Sequence, residues 1–172
     1  MIKDQINEVV KQLVLTVNGV PQAPNFLYGT KNEINVAIDS TPLPCVLLYN
    51  IKPVTLQGQI TNSVNDVYEL YMEFLFQPNN AIADIDTNTT QNEITTKQAQ
   101  DLLEQFLIKL QYFRETPYSA RFFKIKSNIK YKSLPIYNRF SMNACGVNLT
   151  ITLTTMNNTG YDPTTRPPNY QS

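Results

Sequence analysis

The sequence predicts an α+β fold: an antiparallel or mixed β-sheet with two amphipathic helices packed on one face, and an extended C-terminal arm. Two stretches place apolar residues at steps of three and four, the spacing of one helix face. Several others alternate apolar with polar residues or run apolar throughout, as strands do. The order helix, strands, helix, strands points to packed layers rather than to repeated β–α–β units. In a chain of 172 residues, a single domain over residues 1–156 buries roughly two thirds of the surface it exposes unfolded and needs no metal or disulfide staple. Residues 157–172 are expected to form a flexible arm, and no internal repeat is visible.

The first helix rests on Ile2, Ile6, Val9, Val10, Leu13, Val14 and Val17, with Lys3, Asp4, Asn7, Glu8, Lys11 and Gln12 on its other face. Asn18-Gly19 is expected to end it, because glycine takes the left-handed C-terminal position cheaply, and Pro21 and Pro24 prevent its resumption. Residues 25–41 read as an irregular connection in which Phe26, Leu27 and Tyr28 give a hydrophobic foothold. Ile34, Val36 and Ile38 alternate with Asn35 and Ala37, the pattern of a short strand. Pro42 and Pro44 then lead to Cys45-Val46-Leu47-Leu48-Tyr49, an apolar run that fits a strand buried on both faces. Thr55 to Thr61 reads as a further strand, and residues 62–66 have the amide and carboxylate chemistry of a turn. In the next strand Tyr68, Leu70, Met72, Phe74 and Phe76 line one face, while Glu69 and Glu73 face solvent or a neighbour.

Pro78 to Asn92 is polar and reads as a loop. Thr95 and Gln98 have the spacing of a capping box. Ala99, Leu102, Leu103, Phe106, Leu110 and Phe113 follow at helical steps, predicting a second amphipathic helix that stops before Pro117. Phe123, Ile125, Ile129 and Tyr131 alternate with Lys124, Lys126, Lys130 and Lys132; Val147, Leu149, Ile151 and Leu153 alternate with Asn148, Thr150, Thr152 and Thr154. Both are half-buried strands. Between them, residues 134–140 suit a short or edge strand, since Pro135 cannot donate to a ladder. Beyond Asn157 the chain is Gly, Pro, Thr and Asn, with too little apolar surface to offset its own ordering entropy.

Charged residues make up only 16% of the chain, against roughly 25% in typical soluble domains. The 14 basic and 14 acidic side chains cancel, so copies repel one another weakly, which suits a subunit of an assembly. The basic excess expected of a partner for bare nucleic acid or an anionic membrane is absent. The charged start lacks an apolar signal-peptide core, and no run approaches the ~20 apolar residues that span a bilayer. The sequons at Asn88, Asn148 and Asn157 then reflect an Asn/Thr-rich composition. Cys45 and Cys145 stand alone in apolar stretches and read as two buried thiols of a reduced cytosolic protein rather than as a disulfide.

The chain contains no His, which removes the usual general base, the triad partner and the commonest metal ligand. Neither a G-x-x-x-x-G-K-[ST] loop nor a G-x-G-x-x-G turn occurs, so no nucleotide cradle is predicted. Asp84, Asp86 and Glu93 offer oxygens to a divalent cation, the basis for a metal-dependent enzyme, but lack the calcium-loop pattern and read better as a solvated acidic loop. Glu69 and Glu73 read as surface carboxylates, and Cys145, with no His to activate it, as a core thiol. No catalytic residue, metal site or cofactor is expected. The Lys row at Lys124, Lys126, Lys130 and Lys132, flanked by Arg121 and Arg139, is the densest positive feature. It suits a solvated strand face guarded against edge pairing, a contact with an acidic neighbour, or DNA passing nearby. Tyr112, Tyr118, Tyr131 and Tyr137 have rings that can stack on bases but read mainly as packing residues. In the arm, Tyr161, Pro163, Pro167, Pro168 and Tyr170 suit an extended segment lying along a partner.

The Pro-Leu-Pro-Cys-Val-Leu-Leu strand, the Val-Tyr-Glu-Leu-Tyr-Met-Glu-Phe-Leu-Phe strand, the helix ending Leu-Ile-Lys-Leu and the closing Cys-Gly-Val-Asn-Leu-Thr-Ile-Thr-Leu-Thr-Thr follow an N-terminal helix. In this order of elements, over most of residues 1–156, the chain resembles neck and tail-completion proteins of tailed bacteriophages, tail-terminator proteins above all. The resemblance implies a homo-oligomeric ring, commonly sixfold, that caps the tail tube and joins it to the connector beneath the head, with DNA passing through its lumen unread. It implies a virion protein made in the host cytoplasm, without catalytic residues and without a membrane partner. The 78–94 segment and the Tyr161–Ser172 tail depart from that pattern. A head-completion connector or stopper ring is the nearest alternative, and a small nucleic-acid-binding module using the Lys strand is another.

Overall fold

The computed structural model describes residues 2–17, 19–54, 64–78, 85–112, 123–124 and 131–157. The expected strand at 55–61, the side chains of Arg121, Lys126 and Lys130, and the arm residues Tyr161, Pro163, Pro167, Pro168 and Tyr170 lie outside them. The described residues form a mixed α/β fold, as the sequence predicts. Its frame is the antiparallel pair β6 (Val64–Phe76) and β9 (Ala144–Asn157), in register from Val64 opposite Asn157 to Phe76 opposite Cys145. On the β6 side lie β4 (Cys45–Tyr49) and β5 (Lys52–Val54), and beyond β4 the parallel edge strand β3 (Asn25–Gly29). On the β9 side, β7 (Phe123–Lys124) and β8 (Lys132–Arg139) pair with successive stretches of the same strand. Where β6 and β9 pass, a Cβ on Gly146 would overlap the carbonyl oxygen of Phe74, so only glycine fits.

Alternation along these strands gives the sheet two faces of different character. On the first, Val46, Leu48, Leu70, Met72, Phe74, Val147, Leu149, Ile151 and Leu153 form one core with helices α1 (Ile2–Val10) and α3 (Ile85–Tyr112). These are the two helices predicted on one face. α1 contributes Ile6, Val9 and Val10, and α3 contributes Ala99, Leu102, Leu103, Phe106 and Leu110. Phe106 meets Phe74 edge to face, with centroids 5.5 Å apart, the arrangement that sets one ring's positive edge against the other's negative face.

Three segments differ from expectation. α1 stops at Val10, and the residues expected to extend it form a hairpin instead: β1 (Leu15–Val17) pairs with β2 (Val20–Gln22) across a two-residue link in which Gly19 takes φ 79°. The N-G between apolar residues therefore serves a hairpin rather than a helix end. Val14 is consequently 58% exposed instead of buried. Second, Ile34, Val36 and Ile38 belong to no strand. Thr30 opens helix α2 (Lys31–Ala37), continued by a 3-10 turn at Ile38–Ser40, with a complete capping box: Glu33 N–H donates to Thr30 Oγ1, and Thr30 N–H donates to Glu33 Oε2 at 2.7 Å. The hydrogen bond from Thr30 N–H holds the Glu33 carboxyl below its ordinary pKa. Third, α3 begins at Ile85, so part of the expected loop is helical. Thr95 lies inside the helix, its hydroxyl donating to Gln91 O at 2.7 Å, and caps nothing.

α2 lies on the second face, where Ile34 and Ile38 close over Cys45, Leu47, Leu75 and Ala144. It covers that end of the face, and among the described residues no other helix lies on it.

Candidate interaction face

Glu73 points to the second face of β6 and is 1% exposed, which corrects its expected place on the surface. A carboxylate is stable there only if its oxygens are filled. Arg139, at the end of β8, reaches across with a two-pronged contact, Nε to Oε2 at 3.1 Å and Nη2 to Oε1 at 3.0 Å. Tyr49 of β4 donates its hydroxyl to Oε2 at 3.0 Å, and Tyr71 of β6 donates to Oε1 at 3.2 Å. Nη2 also donates to the Tyr49 hydroxyl at 3.1 Å. The cluster is closed by ring contacts: Tyr49 and Tyr71 lie 5.2 Å apart, and the guanidinium sits 4.6 Å from the Phe140 ring centre.

The electrostatics keep every donor in place. Burial, and then the charge of Glu73, push the Tyr49 and Tyr71 phenols above their ordinary pKa. Burial works against the Arg139 charge, but the hydrogen bonds and charge of Glu73 together with the contact to Tyr49 outweigh it and leave the guanidinium more firmly protonated than in water. A pair fixed this way is a brace joining β4, β6 and β8.

The brace also holds an awkward stretch of chain. The β8–β9 register breaks between Ile136 and Arg139, and Asn138, Phe140 and Asn143 all have positive φ, at 52°, 59° and 54°. Arg139 is thus committed to Glu73 and does not flank a free basic row.

Beyond Glu73 no described helix or strand covers the second face. Lys52 stands opposite Glu69, Glu69 opposite Thr152, Tyr71 opposite Thr150, and Thr150 opposite Lys132. Lys52, Glu69, Thr152, Lys132 and Leu134 are exposed, and Tyr71 is at the margin of exposure. The sheet thus presents a mixed polar and aromatic strip on rigid strands.

The other sequence candidates fall elsewhere. Lys124 lies in β7 opposite Thr154 and Lys132 begins β8 opposite Thr150, while Lys126 and Lys130 lie outside the described residues. Asp86 and Glu93 both belong to α3, and among the described residues no three His, Cys, Asp or Glu side chains come together as metal ligands. Among the same residues, no helix is long and apolar enough to cross a membrane. Cys45 packs with the second-face cluster, whereas the Cys145 thiol donates to Asn92 Oδ1 of α3, over the first face, at 3.4 Å. The two free thiols therefore point to opposite sides of the sheet.

The brace escaped sequence reasoning, although a lone acid inside Met72-Glu73-Phe74-Leu75-Phe76 is itself a signal of a buried charge needing a partner. No protein-family model matches the chain, and no curated protein matches its sequence.

Proposed function

We propose that this chain is a structural subunit of a tailed-bacteriophage neck, a ring-forming tail terminator that joins the tail tube to the head–tail connector. The observation that carries the reading is the sheet as the described residues cover it: one face is closed by α1 and α3, while among those residues the other is closed by α2 at one end only. The strip left open has charges of both signs, hydroxyls and aromatic rings, a composition suited to protein contact rather than to phosphate. The zero net charge favours close packing of copies. Loss of Arg139 to the brace weakens the basic row as a nucleic-acid surface, so DNA is a passing neighbour in the lumen and not a ligand. The order of elements resembles that of tail-terminator proteins, which supports a position at the end of the tail tube.

Purified tailed particles whose genome encodes the chain provide the test. The protein is expected at the head–tail junction, and disruption of its gene should leave heads and tails unjoined. Its absence from complete particles, or normal joining without it, would overturn the proposal. Location on the head side of the junction would instead favour a head-completion connector or stopper ring.

A further inference from the structure

We infer that α2 with its 3-10 turn is a lid latched to the β8–β9 turn, Phe140–Asn143, and that lid and turn open together to uncover the apolar end of the second face. This opening does not depend on the assembly proposed above. The packing is divided in a way that permits it. Ile34 and Ile38 belong to a small cluster with Cys45, Leu47, Leu75 and Ala144, distinct from the larger cluster that α1 and α3 form on the first face. A helix of seven residues is too short to hold itself in water. Within α2 only Ile34 is buried, and within the 3-10 turn only Ile38, while Val36 is 80% exposed. Segments with so few buried apolar contacts are the ones that open locally while the rest of a domain stays folded.

The latch is the turn. Ser141 Oγ donates to Asp39 Oδ1 of the 3-10 turn at 2.8 Å, and Phe140 and Met142 pack against the same small cluster that holds Ile34 and Ile38. The turn is itself kept off its preferred backbone, with φ 59° at Phe140 and 54° at Asn143. Asparagine tolerates this left-handed region, but a bulky side chain is crowded there. Such a conformation persists only where its surroundings over-determine it. Part of that support is the Arg139 guanidinium, gripped by Glu73 and 4.6 Å from the Phe140 ring centre, and part is Gln77 Nε2, which donates to Met142 O at 3.0 Å. The lid supplies the rest. When α2 lifts, the turn loses its Asp39 tether, the cluster beneath Phe140 and Met142 loses Ile34 and Ile38, and Phe140 has room to return to ordinary backbone. Closing the lid and bending the turn are thus one transition.

Amide hydrogen exchange of the full chain, read by mass spectrometry, tests this with Phe140→Gly and Phe140→Ala. Both substitutions delete the ring, and they differ in how readily the backbone at 140 accepts a positive φ. In the wild type, residues 31–41 and 140–143 are expected to exchange faster than the β6–β9 ladder and with a weaker dependence on urea, the mark of local opening. Residues 31–41, whose own sequence is untouched, should exchange about fivefold faster in the Ala variant than in the Gly variant, because the closed turn demands the left-handed backbone and the open one does not. Should either variant fail to fold, Ser141→Ala at an exposed position removes the tether alone, and both segments should then quicken together by roughly threefold. Equal exchange of 31–41 in the two Phe140 variants, or a Ser141→Ala effect confined to 140–143, would show that α2 opens without the turn and would overturn the inference. Exchange of 31–41 at the rate and urea dependence of the β6–β9 ladder would overturn it as well, since no opening short of global unfolding would remain.

Discussion

A buried carboxylate persists only when its oxygens are filled, and Glu73 meets that condition with partners from β4, β6 and β8. Glu73→Ala would leave the guanidinium without a counterion and two phenols without an acceptor. Removing one partner of a fully buried pair costs about 3–5 kcal/mol; with the Arg139 side chain 30% exposed, we expect a loss of about 2–4 kcal/mol. Urea unfolding measures it, and a change under about 0.5 kcal/mol would show that the brace adds nothing. The cysteines give a second residue-scale prediction. Burial, and then the Glu73 charge, push the Cys45 thiol from 9.0 up to about 12. Native protein at moderately alkaline pH should therefore resist alkylation at Cys45, and unfolded protein should react at both cysteines. The sign follows: as pH rises through 9 the unfolded chain loses this proton and the folded chain keeps it, so Cys45 lowers stability progressively up to about pH 12. Rapid native labelling would contradict the burial. Two separate buried thiols were legible from the sequence, because each cysteine sits in an apolar run. The Glu73 partner was not, since alternation assigns a face but does not reveal that Arg139, 66 positions away, covers it.

At the scale of elements, the strands and helix with long apolar patterns were legible because one buried face dictates their period. Cys45–Tyr49, Tyr68–Phe76, Val147–Leu153 and the Ala99–Leu110 stripe all pack as their spacing predicts. Short elements were ambiguous for the same reason. Leu13, Val14 and Val17 fit a helix stripe as well as a hairpin, and Ile34, Val36 and Ile38 fit a strand as well as the two turns of α2. Local chemistry decides both cases: the N-G link selects the hairpin, and Thr30 with Glu33 caps the helix. The exposure of Val36, at 80%, is the mark of the helical outcome. Phe106 tests the stripe. Phe106→Asp would set an unpaired charge against Phe74, costing several kcal/mol, comparable with the whole stability of a marginal domain. The expected result is loss of cooperative thermal unfolding; a soluble variant melting near the wild-type Tm would show that this face of α3 is not core.

At the scale of the molecule, the order of helices and strands was enough to predict a sheet with two helices on one face, while the half of the other face that no described helix covers could be seen only once the strands were assembled. Periodicity reports which side chains avoid water within a segment; it is silent on how far a neighbouring element extends over a sheet. The central claim of the proposal is that the strip left uncovered among the described residues serves self-assembly into a ring. Electron micrographs of the purified chain, taken across a range of concentrations, test it most directly. Closed rings with a central opening, of uniform diameter and a mass that is a fixed multiple of 19.6 kDa, are the predicted result; particles of single-subunit mass at every concentration would contradict it.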